Sequence, residues 1–222
     1  MSVDKVILKA FLNTLAAIAL LFVFMFGALV AVYPETMMEI TYDMGMDSPC
    51  IWFAERAYIR HNDIDDMVLA MEVAIGDNNY KKVVSCGEKV IQDDEFEKLC
   101  ETKDEQTVAS VEGIENAAAL LERLGTYEQY VYGRVCSAKY SLGDKEAAVE
   151  RAFELTVGFP RNNAVVAVLS DAMLASDTET LADIQGKMNE MQSGDWQESE
   201  RIYFGKILTD LGELLGSQKA NE

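Results

Sequence analysis

Between Ala10 and Tyr33 the chain reads AFLNTLAAIALLFVFMFGALVAVY, 24 residues without a charged side chain. At about 1.5 Å per residue, a helix of that length reaches roughly 36 Å and can cross a hydrocarbon core of about 30 Å with some tilt. The eleven Leu, Ile, Val and Phe residues from Leu15 to Val32 favour insertion by roughly 3–7 kcal/mol. A signal peptide has a shorter apolar stretch of about 7–15 residues and a small-residue cleavage site. Leu29-Val30-Ala31 is a poor one, so a retained transmembrane helix over 10–33 is expected. Pro34 ends it.

Beyond Pro34 the apolar positions recur every three to four residues. Ile51, Phe53, Ala54, Ala57 and Tyr58 form one such stripe, and Ile64, Met67, Val68, Met71 and Ile75 the next. The Tyr80–Ile91 stretch repeats the pattern, and further runs cover about 94–101, 107–124, 127–141, 145–157, 163–175, 178–191 and 196–216. No stretch alternates with β-branched residues as a strand would. Breaks fall at Gly76-Asp77, Leu142-Gly143-Asp144, Phe159 to Asn163, and Gly194-Asp195, where Asp195 and Glu198 make a capping-box pattern. Short breaks place consecutive helices antiparallel. The expected organisation is a short N-terminus (1–9), the membrane span (10–33), a juxtamembrane linker (34–49) and an all-α domain of helical hairpins (50–222).

The breaks themselves recur. Gly76, Ser110, Gly143 and Ser176 are spaced 34, 33 and 33 residues apart, and Asp follows the first, third and fourth. A small residue in a tight turn, followed by an acid at the next helix's positive end, suits a repeated hairpin. The segment LGDKEAAVERAFELTVGFPRNNAV, Leu142 to Val165, resembles the second helix of a tetratricopeptide repeat and the turn into the next unit. Gly143-Asp144 matches the inter-helix turn, Ala148 the small residue where paired helices approach, and Pro160 the inter-repeat proline. Cys136 stands where the family's first helix usually has glycine, and Lys139 where it has an aromatic. The resemblance implies a TPR-like α-solenoid with a concave binding surface. In architecture alone, an anchored TPR-like domain also resembles bacterial ancillary proteins of the translocon.

Charge narrows the choice of partners. The whole chain carries a net charge of −19, and the part beyond the span has 37 acidic against 17 basic side chains. That excludes a sequence-independent nucleic-acid binder, which needs a basic surface to displace counterions. Lys5 and Lys9 precede the span, whereas the first basic residue after it is Arg56. The positive-inside rule then predicts a single-pass protein of the cytoplasmic membrane, with a cytoplasmic N-terminus and an extracytoplasmic domain.

Catalytic and cofactor signatures are missing from the sequence. HExxH, GxSxG, SxxK, Walker A and GxGxxG patterns do not occur, so no catalytic residue, cofactor or metal is expected. His61, the single histidine, reads as a helix C-terminal residue favourable to the macrodipole. The acidic clusters Asn62 to Asp66 and Gln92 to Glu97 lack the alternating ligands of a calcium loop and read as helix N-terminal acids. Cys50, Cys86, Cys100 and Cys136 make no CxxC pair. They are either buried small apolar residues or, in an oxidising compartment, disulfide formers, with Cys86–Cys100 the best candidate bridge. Met37, Met38, Met44 and Met46 pack the juxtamembrane segment or offer an adaptable surface.

These readings lead to a membrane-anchored interaction module, adaptor or scaffold, that binds a protein or peptide without catalysis. Tyr80, Tyr127, Tyr130 and Tyr132 are the candidate recognition aromatics, although packing is the more common use of such residues. The alternatives are a structural subunit of a membrane complex, with Gly27 and Ala31 as a small-residue helix contact, or an extracytoplasmic enzyme built on scattered carboxylates. The oligomeric state stays open.

Overall fold

A computed structural model describes residues 3–111, 116–155, 164–191 and 198–219. Among them every regular element is helical: α1 (Val3–Val32), α2 (Pro34–Asp43), α3 (Asp47–His61), α4 (Ile64–Gly76), α5 (Tyr80–Gln92), α6 (Phe96–Ala109), α7 (Ala117–Leu124), α8 (Tyr127–Ser141), α9 (Lys145–Glu154), α10 (Ala164–Leu174), α11 (Thr178–Met191) and α12 (Glu198–Lys219). The all-α expectation therefore holds. The Phe159–Asn163 break with Pro160, and the Gly194-Asp195 break with its Asp195 cap, lie outside the described residues. The chain divides into two compact units, Met1–Val73 and Ala74–Glu222.

In the first unit, α1 is long and apolar enough over Lys9–Val32 to cross a membrane, and none of that stretch is buried by the rest of the chain. Phe24 is 78% exposed. The stretch read as a linker contains α2, which starts with Pro34 at a position where proline's fixed φ suits a helix. Its buried residues, Pro34, Met37 and Thr41, pack against α3. Met44 and Met46 remain exposed. α3 in turn buries Cys50, Ile51, Phe53, Ala54 and Ala57, and the Cys50 thiol meets Thr41 of α2. Asn62 then stops α3 in the left-handed conformation, with φ 56°, and its amide donates to the Tyr58 carbonyl at 2.7 Å.

In the second unit α8 is central and packs against α5, α9 and α10. Its start is fixed by a capping box. The Thr126 hydroxyl accepts from the Gln129 amide, and the Gln129 side chain accepts from the Thr126 amide. The core beneath it joins Cys136 and Tyr140 of α8, Val149 and Ala152 of α9, Val168 and Leu169 of α10, Leu181, Ile184 and Met188 of α11, and Leu211 of α12. At Gly133 α8 lies close against α10: a Cβ there would be 3.3 Å from the Ala167 Cβ. The resemblance to tetratricopeptide repeats placed the glycine position at 136. The residue that permits the close approach is one turn earlier, and Cys136 is wholly buried instead.

Two hairpins, α8/α9 and α10/α11, turn in the same way. Gly143 (φ 87°) and Ser176 (φ 54°) both adopt the left-handed conformation, and the next residues, Asp144 and Asp177, return their amides to Lys139 and Ala172. The other two recurrences differ. At the α4/α5 turn the left-handed residue is Asn78, two positions after Gly76, and Ser110 ends α6 in a right-handed conformation. The 33-residue spacing is therefore a geometric repeat only between Gly143 and Ser176. The run expected over 107–124 is likewise two helices, with α7 restarting at Asn116, whose side chain accepts from the Ala119 amide.

A charged junction ties α5 to α8 and α9. Arg151 of α9 grips Glu88 of α5 through two hydrogen bonds of 2.6 and 3.1 Å, and Lys139 of α8 reaches the same carboxylate at 3.3 Å. Burial alone would raise the Glu88 carboxyl, but the Arg151 guanidinium and the Lys139 ammonium hold it below its ordinary value. We expect Glu88→Gln to lower the unfolding free energy by about 1–2 kcal/mol, seen as an earlier urea midpoint. An unchanged midpoint would place the junction among surface ion pairs of negligible worth.

Candidate functional site

The turns after Gly143 and Ser176 start α9 and α11 side by side, and a cleft of about 520 Å3 opens between them. Its floor is apolar at the buried Val149 and hydroxylic at the buried Thr180. It is lined by five carboxylates, Asp144 at the turn, Glu146 and Glu150 from α9, and Glu179 and Asp183 from α11, with Lys145 and Lys187 beside them. Glu146 and Glu150 are four residues apart, as are Glu179 and Asp183, so each pair projects from one helical face.

Asp177 organises one end of this cleft. It caps α11, with the Thr180 amide donating at 3.3 Å and the Thr180 hydroxyl at 2.7 Å. The Tyr140 hydroxyl donates to the same carboxylate from α8 at 2.9 Å, and the Lys145 ammonium pairs with it at 2.6 Å. Burial pushes the Asp177 carboxyl upward. The Lys145, Thr180 and Tyr140 donors outweigh it and hold the group well below the usual carboxylate range. Tyr140 responds in the opposite sense: burial and its bond to Asp177 push its hydroxyl up to about 12. With Lys145 paired to Asp177, Lys187 is the other cation among the described residues that line the cleft with these five carboxylates. Such a site offers oxygen acceptors to a cationic side chain above an apolar floor.

The candidate tyrosines lie elsewhere. Tyr127 and Tyr130 share one face of α8, with ring centroids 5.8 Å apart, and the Arg134 guanidinium lies 5.1 Å above the Tyr130 ring. The Tyr127 amide donates to Asp104 of α6 at 2.7 Å. Tyr132 points to another side, packing 5.9 Å from the Phe96 ring and donating to Glu128 at 2.9 Å. Burial and Glu128 raise its hydroxyl pKa well above the ordinary value. Tyr80 is the first residue of α5, and no ring contact joins it to the others among the described residues. The structure thus brings Tyr127 and Tyr130 together and leaves Tyr132 and Tyr80 apart from them.

All four cysteines are buried and carried as free thiols in this structure, the first of the two alternatives the sequence left open. Cys86 faces the core side of α5 with Val83 and Val90, while Cys100 follows Phe96 and Leu99 on α6. Burial, then the Glu128 and Asp104 charges, push the Cys100 thiol up to about 12. Burial does the same for Cys136, also to about 12. Oxidation proceeds through the thiolate, which these positions suppress.

In the first unit His61 bonds Glu35 of α2 at 2.5 Å. Nearby Asp66 is pushed up to about 6 by burial and by the Asp63, Glu35 and Asp65 charges, against the opposing pull of His61. No group of three or more metal-ligating side chains converges among the described residues. The acidic cleft was the part that sequence reading missed. Its only signal was an acid following each of two turns, at Asp144 and Asp177, with Thr180 at the third position beyond Asp177.

No family model matches the chain, and neither does any curated protein or solved structure.

Proposed function

We propose that this protein is a membrane-tethered interaction module. In this reading its helical-hairpin domain holds a cationic segment of a protein or peptide partner in the α9/α11 cleft. The observation that carries the reading is the cleft itself: among the described residues five carboxylates line it with two lysines, of which Lys145 is paired to Asp177, beside the buried Val149 and on a strongly acidic chain. A lysine or arginine side chain would lay its methylene stem on Val149 and give its charge to Glu150 and Asp183. The same charge field would steer basic partners inward and repel anionic ones.

The hairpins α8/α9 and α10/α11 are read as a TPR-like stack, supported by their matching turns 33 residues apart and by the Gly133–Ala167 approach. The anchor is α1. Lys5 and Lys9 before it favour a cytoplasmic N-terminus and an extracytoplasmic domain. Tethering would raise the effective concentration for partners in the same membrane.

Photo-crosslinkers placed at Glu150 and Asp183 in intact cells, with mass spectrometry of the adducts, test this reading. A dominant partner captured through a Lys/Arg-rich segment is expected, and its adducts should disappear when Glu146 and Glu179 are both changed to Lys. Adducts confined to lipid and to the protein itself would rule the reading out.

A further inference from the structure

We infer that α3 lies along the membrane surface, with its exposed face seated in the headgroup layer of the bilayer that α1 crosses. The inference rests on reading α1 as the span. Arg60, near the end of α3, donates to the Ala31 carbonyl at 2.7 Å. Ala31 belongs to the last turn of α1, where carbonyls have no partner within the helix. This bond fixes the end of α3 at the depth where the apolar run stops.

The exposed face of α3 has the composition of an interfacial surface. Trp52, Arg56, Ile59 and Arg60 follow a four-three-one spacing, which places them on one exposed stripe, with the buried Ala54 on the far side of the helix. Ile59 is 76% exposed. The Arg56 guanidinium stacks 4.0 Å over the Trp52 ring, so a cation and an amphipathic aromatic form one surface. Exposed Tyr33, just beyond the span, adds a second ring at the same level. Tryptophan and tyrosine favour the headgroup level, and guanidinium groups pair with lipid phosphates.

Geometry makes the orientation testable. Trp52 precedes Arg60 by eight residues, about 12 Å along a helix. The interfacial layer adds only about 5–8 Å on each side of the hydrocarbon core. If α3 stood upright on the membrane, Trp52 would be in water; if it lies flat, Trp52 is among headgroups.

The experiment uses the full chain in vesicles of zwitterionic and anionic phospholipid, with Trp196→Phe leaving Trp52 as the sole tryptophan. Flotation with the vesicles first tests the anchor by itself. For floating protein we expect blue-shifted emission and roughly two-fold quenching by lipids brominated near the headgroup end of the acyl chain. Quenching by lipids brominated near the bilayer centre should be weaker. A nitroxide at Ile59→Cys gives an independent depth, since the native thiols are buried. It should be more accessible to oxygen than to a water-soluble nickel chelate. Protein that floats while Trp52 is quenched by aqueous iodide and ignored by brominated lipid would overturn the inference and leave the anchor intact. Failure to float would overturn the anchor, and the inference with it.

Discussion

Replacing Asp177 with alanine is expected to lower the unfolding free energy of the second unit by about 2–4 kcal/mol. The change removes the α11 cap and leaves the Tyr140 hydroxyl, the Thr180 hydroxyl and the Lys145 ammonium without their shared acceptor. Asp177→Asn keeps the capping oxygen and loses the charge, so it should cost roughly half as much. The same carboxylate sets a pH dependence. Its folded pKa lies below its unfolded value, so the folded state releases this proton more readily. The contribution is therefore complete above about pH 4–5 and is lost as pH falls from there through the depressed folded value. Urea titrations at pH 7 and pH 3 check both points. Wild type should lose stability between them, and Asp177→Ala should lose clearly less. Parallel losses in the two proteins would remove Asp177 from the account.

Leu181→Ala should be the other severe change, at about 2–5 kcal/mol. Leu181 is wholly buried in the core shared by α8 to α12, alongside Ile184 and Met188. Truncation forfeits the transfer energy of the lost carbons and leaves a cavity that four helices cannot easily close. Leu181→Met, nearly equal in volume, should cost under about 1.5 kcal/mol. Calorimetry of the two variants separates packing from a general sensitivity of α11: equal losses would contradict the cavity argument.

Helices with a sustained three-to-four spacing were legible from the sequence alone. Tyr127–Ser141 and Thr178–Met191 match the expected runs residue for residue, because an apolar stripe bounded by caps leaves few alternatives. The helical character of α2 was not, since PETMMEITYD offers only Met37 and Thr41 as a buried pair, and its packing partner lies in α3. The 107–124 run merged two helices because the apolar positions on either side of Ser110 continue one another's spacing. The turn recurrence misled at Gly76, where an asparagine two residues on takes the left-handed conformation, which Asn tolerates better than most residues other than Gly.

The cleft was hidden for a different reason. It depends on α9 and α11 lying side by side, and on Asp177 meeting Tyr140 from 37 residues away. Local periodicity carries no information on such pairings. The tyrosines attracted notice as a type, yet Tyr132 spends its ring on Phe96 and its hydroxyl on Glu128.

The buried thiols have a consequence for biogenesis. A fold that draws nothing from cysteine oxidation needs neither an oxidant nor an isomerase, and a reducing environment removes nothing from it. The hairpin domain would therefore mature equally well on either side of a membrane. On the anchored reading proposed above, the side on which the domain sits would then rest on Lys5 and Lys9 and not on its folding.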